Sequence, residues 1–399
     1  MIARAAMTAC LMSAFAGAAS AQVAPVPPPY VSAYQPQGID EIGLWREYDE
    51  SERRLAASAL VVRDAKLTGY LKQVLCRTVG DDRCNAVRVY VIREPIPNAS
   101  MAPNGTMRVH SGMLLRIRSE AELGALLGHE FGHYEQRHGL NKFKARRTGT
   151  DIIAWAGLLA SMASTYDTAR TYHDLKVSVY GDLFRYSRNL EREADLLSIG
   201  YLNSSTLKPQ AASRVWVNMM AEAEASARAK GLKKPNFEAI AFSASHPPDA
   251  ERAAYLSALA EPTAVTRDDG AAQYAEALKD WLPIFLDDQI KLNDFGASEF
   301  IILSLADSGW TAPLWLGRAE LYRARGHPRD LVNAADFYRS ALDLDPALVT
   351  AYRGLGLALM KMDQASEATV ALRRYLELRP DASDAGMIRM MLPKEGTSN

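Results

Sequence analysis

Cysteine is scarce in this chain of 399 residues: three in all, at positions 10, 76 and 84. An excess of one charge is also missing. With 46 Lys and Arg against 47 Asp and Glu, the formal net charge is −1, so nothing in the balance points to nucleic acid as a partner. Long apolar runs are absent too. The N-terminal apolar stretch to about Ala18 is short and rich in Ala and Gly, and Ile152 to Ala163 covers only twelve residues. A bilayer span needs about 20, so the second stretch reads as a buried or interfacial helix. Acidic residues are missing between Glu135 and Asp151, where Arg137, Lys142, Lys144, Arg146 and Arg147 cluster. Such a run reads as a solvated face, with a peripheral contact on an anionic membrane as the alternative. The length itself calls for two or more domains with real cores.

The start of the chain, Met1-Ile2-Ala3-Arg4 followed by apolar residues and Ala19-Ser20-Ala21, reads as a secretory signal cut after Ala21. That implies a periplasmic chain. With Cys10 gone, Cys76 and Cys84 remain, flanking the turn-rich Gly80-Asp81-Asp82. Outside the cytoplasm this pair is expected to oxidise, and closing so short a loop contributes about 2–3 kcal/mol in the chain-entropy view. Two buried free thiols are the alternative. Residues 22–38 are rich in Pro, Gln and Ala and read as a flexible leader.

Chemistry concentrates at Gly128-His129-Glu130-Phe131-Gly132-His133, an HExxH sequence on a helix-patterned run. On a helix, His129 and His133 lie one turn apart on one face and can hold a zinc ion between them. Glu130 then sits beside the metal, where a carboxylate can take a proton from water. A catalytic zinc wants a third protein ligand. The extension HExxHxxGxxH fails, because Gln136 stands where the glycine belongs and Gly139 where the third histidine belongs. The later segment Ser187-Arg188-Asn189-Leu190-Glu191-Arg192-Glu193-Ala194-Asp195 offers a carboxylate instead. Glu191 and Asp195 share a face at i and i+4. Glu191 can reach the metal, and Asp195 can accept the remaining ring N–H of a ligating histidine. Glu193 competes as ligand but points from a different face. Taken alone, this segment reads equally as a charged surface helix with i,i+4 pairs.

Together, HEFGH and SRNLEREAD resemble the gluzincin metallopeptidases of family forty-eight, of the CAAX prenyl protease and HtpX type. The resemblance runs from about Leu44 to Leu256 and includes Asn98 to Pro103, Gly105 to Gly112, Ser119 to Leu123, and Ser245-His246-Pro247-Pro248 with Arg252. It implies one Zn²⁺ per chain held by His129, His133 and Glu191, with Glu130 as general base. It also places His246 and Arg252 near the active site, as catalytic groups either of which would stabilise the developing negative charge. His246 has two open roles: donating to the oxyanion of the tetrahedral intermediate, or occupying the metal's open position until substrate displaces it. The family's usual loop departs here to Met-Ala-Pro-Asn-Gly. The absence of a spanning stretch separates this chain from the membrane-embedded members.

Val87 to Ile92 alternates as a strand and Thr106 to His110 is a second; residues 39–79 pattern as helix, and a helix over 119–138 carries HEFGH. Asn98, Ala99, Ser100, Met101 and Ala102 read as an exposed edge strand beside the metal, able to bind an extended substrate by added-strand hydrogen bonds. Further on, Trp315, Ala319, Tyr322, Ala334, Tyr338, Ala341 and Pro346 recur as Tyr352, Gly356, Leu359, Ala368, Leu372, Tyr375 and Pro380. The two prolines are 34 residues apart, the tetratricopeptide period. The expected fold class is therefore mainly α with a small β-sheet, an α+β zincin domain, followed by an all-α repeat stack. The boundaries read as signal 1–21, leader 22–38, metallopeptidase 39–262, a helical segment of degenerate repeats 263–311, two repeats 312–384 and a tail 385–399. The order of these parts resembles periplasmic members of the family, which implies extended or unfolded protein substrates, among them stalled or misfolded outer-membrane proteins. The repeats would engage the outer-membrane assembly machinery or clients. The competing function is a chaperone or assembly scaffold with a latent zinc site.

Overall fold

In the computed structural model, the described residues are 27–31, 34–163, 187–238 and 249–393. The signal sequence, the apolar leader residues before 27, and Ser245 to Pro248 with His246 lie outside them. Among the described residues, no helix is long and apolar enough to cross a membrane.

The stretch patterned as helix over 39–79 is two helices, α1 (Gly38–Ala57) and α2 (Ala65–Val79). Between them the chain runs extended, and Val61 bridges Ile92. Asp64 then starts α2 by accepting from the Lys66 and Leu67 amides, as an N-cap does. Gly80, at φ 101°, ends it. Both strands are where alternation puts them: β1 is Arg88–Ile92 and β3 is Thr106–His110. They pair in parallel, with β2 (Ala99–Met101) antiparallel on the far side of β3. The sheet order β1-β3-β2 leaves β2 as an edge.

Helix α3 (Glu120–Glu135) follows, started by Ser119, whose hydroxyl accepts from the Glu122 amide. Glu122 reaches back to the Arg118 amide, a variant of the capping box. This helix is buried on almost every side, as befits the central element of a core. The helix expected over 119–138 stops short of His138. Arg137 adopts left-handed backbone (φ 55°), which a non-glycine residue takes only at some cost, and α4 (His138–Ala163) starts afresh. The apolar stretch at 152–163 is thus helical.

Residues 187–204 form helix α5, followed by α6 (Ala211–Ala229) and α7 (Asp249–Leu259). Three short helices, α8 (Ala271–Leu278), α9 (Leu282–Ile290) and α10 (Phe295–Leu305), lead to the repeat helices α11 (Ala312–Arg325), α12 (Pro328–Leu344), α13 (Val349–Lys361) and α14 (Ala365–Leu378), and to α15 (Ala385–Met391). The expected architecture, a helical catalytic segment with a small sheet and an all-α stack, is the one observed.

One apolar core runs without a break from Leu71 and Val91 through Leu123 and Phe131 to Phe285, Ile302 and Leu321. The three short helices from Ala271 to Leu305 therefore share the core of the segment before them. Tyr274 donates to the Leu114 carbonyl at 2.6 Å, Trp281 to Asp64 at 2.7 Å, and Arg116 makes a two-pronged contact with Glu222 while its third nitrogen meets Gln289 at 3.3 Å. The repeats form a second core in which Ala319, Ala334, Tyr338, Ala341, Ala358 and Ala368 are fully buried. The small residues let paired helices approach closely.

Cys76 and Cys84 are joined in a disulfide, so the free-thiol alternative is set aside. The end of the leader is not wholly loose: Pro29 is buried and its carbonyl accepts from Tyr134 at 2.7 Å.

Candidate active site

Two glycines of α3 let α5 come close enough to share a site with it. A Cβ added to Gly132 would stand 3.3 Å from the Ala194 Cα, and one on Gly128 would stand 3.3 Å from the Ser198 hydroxyl. Ser198 also donates to the Ala125 carbonyl of α3 at 2.7 Å. With the backbones this near, Glu191 faces the histidines across the helix pair.

His129 Nε2 and His133 Nε2 are 3.1 Å apart. Glu191 oxygens lie 3.4 Å from the first and 3.6 Å from the second. An ion about 2.0–2.1 Å from each of three tetrahedral donors needs them about 3.3 Å apart. Two imidazoles and a carboxylate also make a donor set suited to zinc. The residues therefore fit a zinc ion. Glu130 lines the same cavity beside the histidines.

Asp195 Oδ1 lies 2.8 Å from His129 Nδ1, which leaves Nε2 aimed at the ligand position. The same carboxylate accepts from Arg252 Nε and Nη2, both at 2.7 Å, and from the Tyr255 hydroxyl. Burial opposes the charge on Asp195, but His129 and Arg252 outweigh it and hold the carboxyl well below its usual range. Burial likewise works against a charged His129, while Asp195 and Glu191 push it up to about 10 without a metal. A metal held here would therefore compete with a proton for this ring.

Arg252 stands differently from expectation. It is 2% exposed, its guanidinium is bidentate to Asp195, and it lies 3.5 Å over the Trp216 ring. A side chain so engaged positions Asp195 rather than presenting its charge to a substrate. Glu193, the competing ligand, lies away from the metal position and meets His138 Nε2 at 3.3 Å. His138 in turn meets His133 Nδ1 at 2.8 Å. Burial, and then the neighbouring His133, push His138 down to about 4. Sequence reasoning missed His138, Trp216 and Tyr255. Only His138 left a signal, as a fifth residue after the second histidine of the motif.

The cavity measures about 460 Å³, and Leu126, Val215, Trp216 and Met219 line it together with His129, His133 and Glu191. The edge strand lines it as well. The strand is shorter than expected: only Ala99, Ser100 and Met101 form it. Asn98 precedes it and accepts from the His110 amide at 3.0 Å. Ala102 is 6% exposed and its amide is already given to Thr106, so it belongs to the turn that Gly105 closes at φ 90°. Because 98 pairs with 110 and 102 with 106, alternation directs the Ser100 backbone groups to β3 and those of Ala99 and Met101 toward the open edge.

Residues 65–260 match peptidase family M48, and residues 320–393 match the tetratricopeptide repeat. The chain is 29% identical over 187 residues to the mitochondrial metalloendopeptidase OMA1 of Schizosaccharomyces pombe, covering 46% of this chain and 50% of that one. It is 25% identical over 184 residues to the β-barrel assembly-enhancing protease of Escherichia coli, covering 44% and 37%. It is 28% identical over 165 residues to the E. coli metalloprotease YcaL, covering 40% and 56%. The chain thus spans about half or less of the length of most curated relatives it matches.

Proposed function

Because residues 65–260 are a peptidase family M48 segment, we propose that the protein is a zinc-dependent endopeptidase of the cell envelope. It would cleave misfolded or stalled periplasmic and outer-membrane proteins, with its repeats binding clients or partners. The observation that carries this reading is the convergence of His129, His133 and Glu191 on one point, 3.1–3.6 Å apart, with Glu130 in the same cavity. The disulfide supports an oxidising compartment, and a relative named for β-barrel assembly supports the substrate class.

His129, His133 and Glu191 would hold the ion, and Asp195 would keep His129 in the ligating tautomer. Zinc held there supplies Lewis acidity, polarising a peptide carbonyl and making water acidic near neutral pH. Glu130 takes the proton from the attacking water and passes it to the departing amine. The outward backbone groups of Ala99 and Met101 align an extended substrate as an added strand. Such contacts read backbone rather than side chains, which suits unfolded clients of varied sequence. Arg252 acts through Asp195. His246 keeps its two alternatives, oxyanion donor or occupant of the metal's open position.

A Glu130→Gln variant should keep its zinc and lose cleavage of casein and of a misfolded outer-membrane barrel. Undiminished hydrolysis by that variant, or hydrolysis by the native chain that a chelator does not touch, would overturn the assignment. If the variant fully rescued an envelope-assembly defect, the scaffold function would be the better account.

A further inference from the structure

The two histidine ligands are supported by unlike means. His129 leans directly on a buried carboxylate, Asp195, which Arg252 and Tyr255 hold in turn. Among the described residues, no carboxylate stands beside His133 Nδ1; its partner is the ring of His138, at 2.8 Å. His138 is 3% exposed, and its far nitrogen reaches Glu193, whose carboxylate is half exposed.

Tautomers decide the direction of this chain. Ligation through His133 Nε2 requires that nitrogen's lone pair, so the ring proton sits on Nδ1. His133 Nδ1 must then donate, and His138 Nδ1 must accept. An accepting Nδ1 on a neutral imidazole leaves the His138 proton on Nε2. That proton points to Glu193, which accepts at 3.3 Å. Each link admits one arrangement only, and all are compatible with a metal on His133 Nε2.

We propose that His138 and Glu193 form a positioning relay for the second histidine ligand, with Glu193 orienting His138 and His138 fixing the tautomer and ring plane of His133. This rests on the zinc reading above. The backbone that makes it is the left-handed Arg137. In an unbroken helix, a residue five positions after His133 would project about 140° away from it; the reversal at Arg137 brings His138 back against the ring. Arg137 is itself held by the leader, donating to the Pro27 carbonyl and lying 4.6 Å over the Tyr34 ring.

The test uses full-length, metal-stripped protein reloaded with zinc against a chromogenic chelator, and with cobalt as a spectroscopic reporter. Loss of an outer partner of a metal-bound histidine typically weakens metal affinity about 10–100-fold. His138→Ala should fall in that range and alter the cobalt absorption bands. Glu193→Ala should weaken zinc in the same direction with an unchanged melting temperature of the metal-free protein, while Glu193→Gln, which keeps an accepting oxygen, should bind nearly as the native chain does. The double variant His138→Ala/Glu193→Ala should be no weaker than His138→Ala alone, because Glu193 acts only through His138. Native zinc affinity in His138→Ala, or losses that add in the double variant, would overturn the relay. Should His138→Ala fail to fold, native affinity in the half-exposed Glu193→Ala would overturn it instead. A native chain that takes up no zinc would sink the metalloenzyme reading itself, an outcome distinct from these.

Discussion

At the scale of single residues, the site is governed by Asp195. Its two oxygens serve His129, Arg252 and Tyr255 at once, with the Asp195 and Arg252 side chains 3% and 2% exposed. Removing one partner of such a buried pair strands the other charge, which typically costs about 3–5 kcal/mol. Asp195→Asn should therefore lower the denaturation midpoint by a stability loss of that order and weaken zinc binding as well. Urea titration of the metal-free variant reads the first effect and chelator competition the second; a variant as stable as the native chain would show that Arg252 finds another partner. The pairing of His129 with His133 was legible because i,i+4 spacing encodes one helical face, whereas Glu191 was settled on as the third ligand only through the family resemblance. The role of Arg252 was not, because a lone arginine in a sequence gives no sign of which carboxylate will claim it.

Among the secondary elements, α1 is tied to the sheet through a charged side chain. Glu52 on α1 grips the sheet end, accepting from Arg88, from Thr106 at 2.8 Å and from Tyr90 at 3.0 Å. The Arg88 hydrogen bonds pull its pKa down to about 2 from the ordinary 4.5, against the opposing effect of burial. A folded pKa below the unfolded one means that the stabilisation is complete above about 4.5 and disappears as pH falls toward about 2. Acid unfolding followed by circular dichroism should thus include a contribution across that window, flattened in Glu52→Gln. Identical acid profiles for the two proteins would remove Glu52 from the account. Strand alternation and the helix start at Ser119 were readable locally, whereas the restart of the chain at Asp64 inside the stretch 39–79 was not. The break at Arg137 was not, since arginine carries no propensity for left-handed backbone and the leader contacts that hold it there come from more than a hundred residues away.

For the molecule as a whole, the unbroken core sets the cooperative unit. Tyr274, Leu278, Phe285, Leu286, Ile301 and Ile302 share a core with Leu123 and Phe131, whereas Ala351, Leu355, Ala358 and Ala371 belong to the separate repeat core. Deleting residues 345–399 should leave a soluble chain with native zinc affinity. Deleting 271–399 should expose the catalytic core and yield aggregated or unfolded protein. Soluble yield, melting and zinc uptake of the two truncations check this; a stable chain ending at 270 would contradict the shared core.

The sequence by itself determined what depends on short range and period: two imidazoles on one face of α3, alternating strands, the repeat of buried alanines and aromatics, and a pair of cysteines close enough to bridge. Tertiary structure alone decided how far apart separate elements come to rest. Whether Glu191 meets the histidines depends on Gly128 and Gly132 admitting α5. The partner of Arg252, the service of His138 to His133 and the seating of the helices after 270 on the catalytic core likewise arise from contacts between distant parts of the chain. Periodicity fixes directions within one element, but the distance between two elements is set by the side chains packed between them.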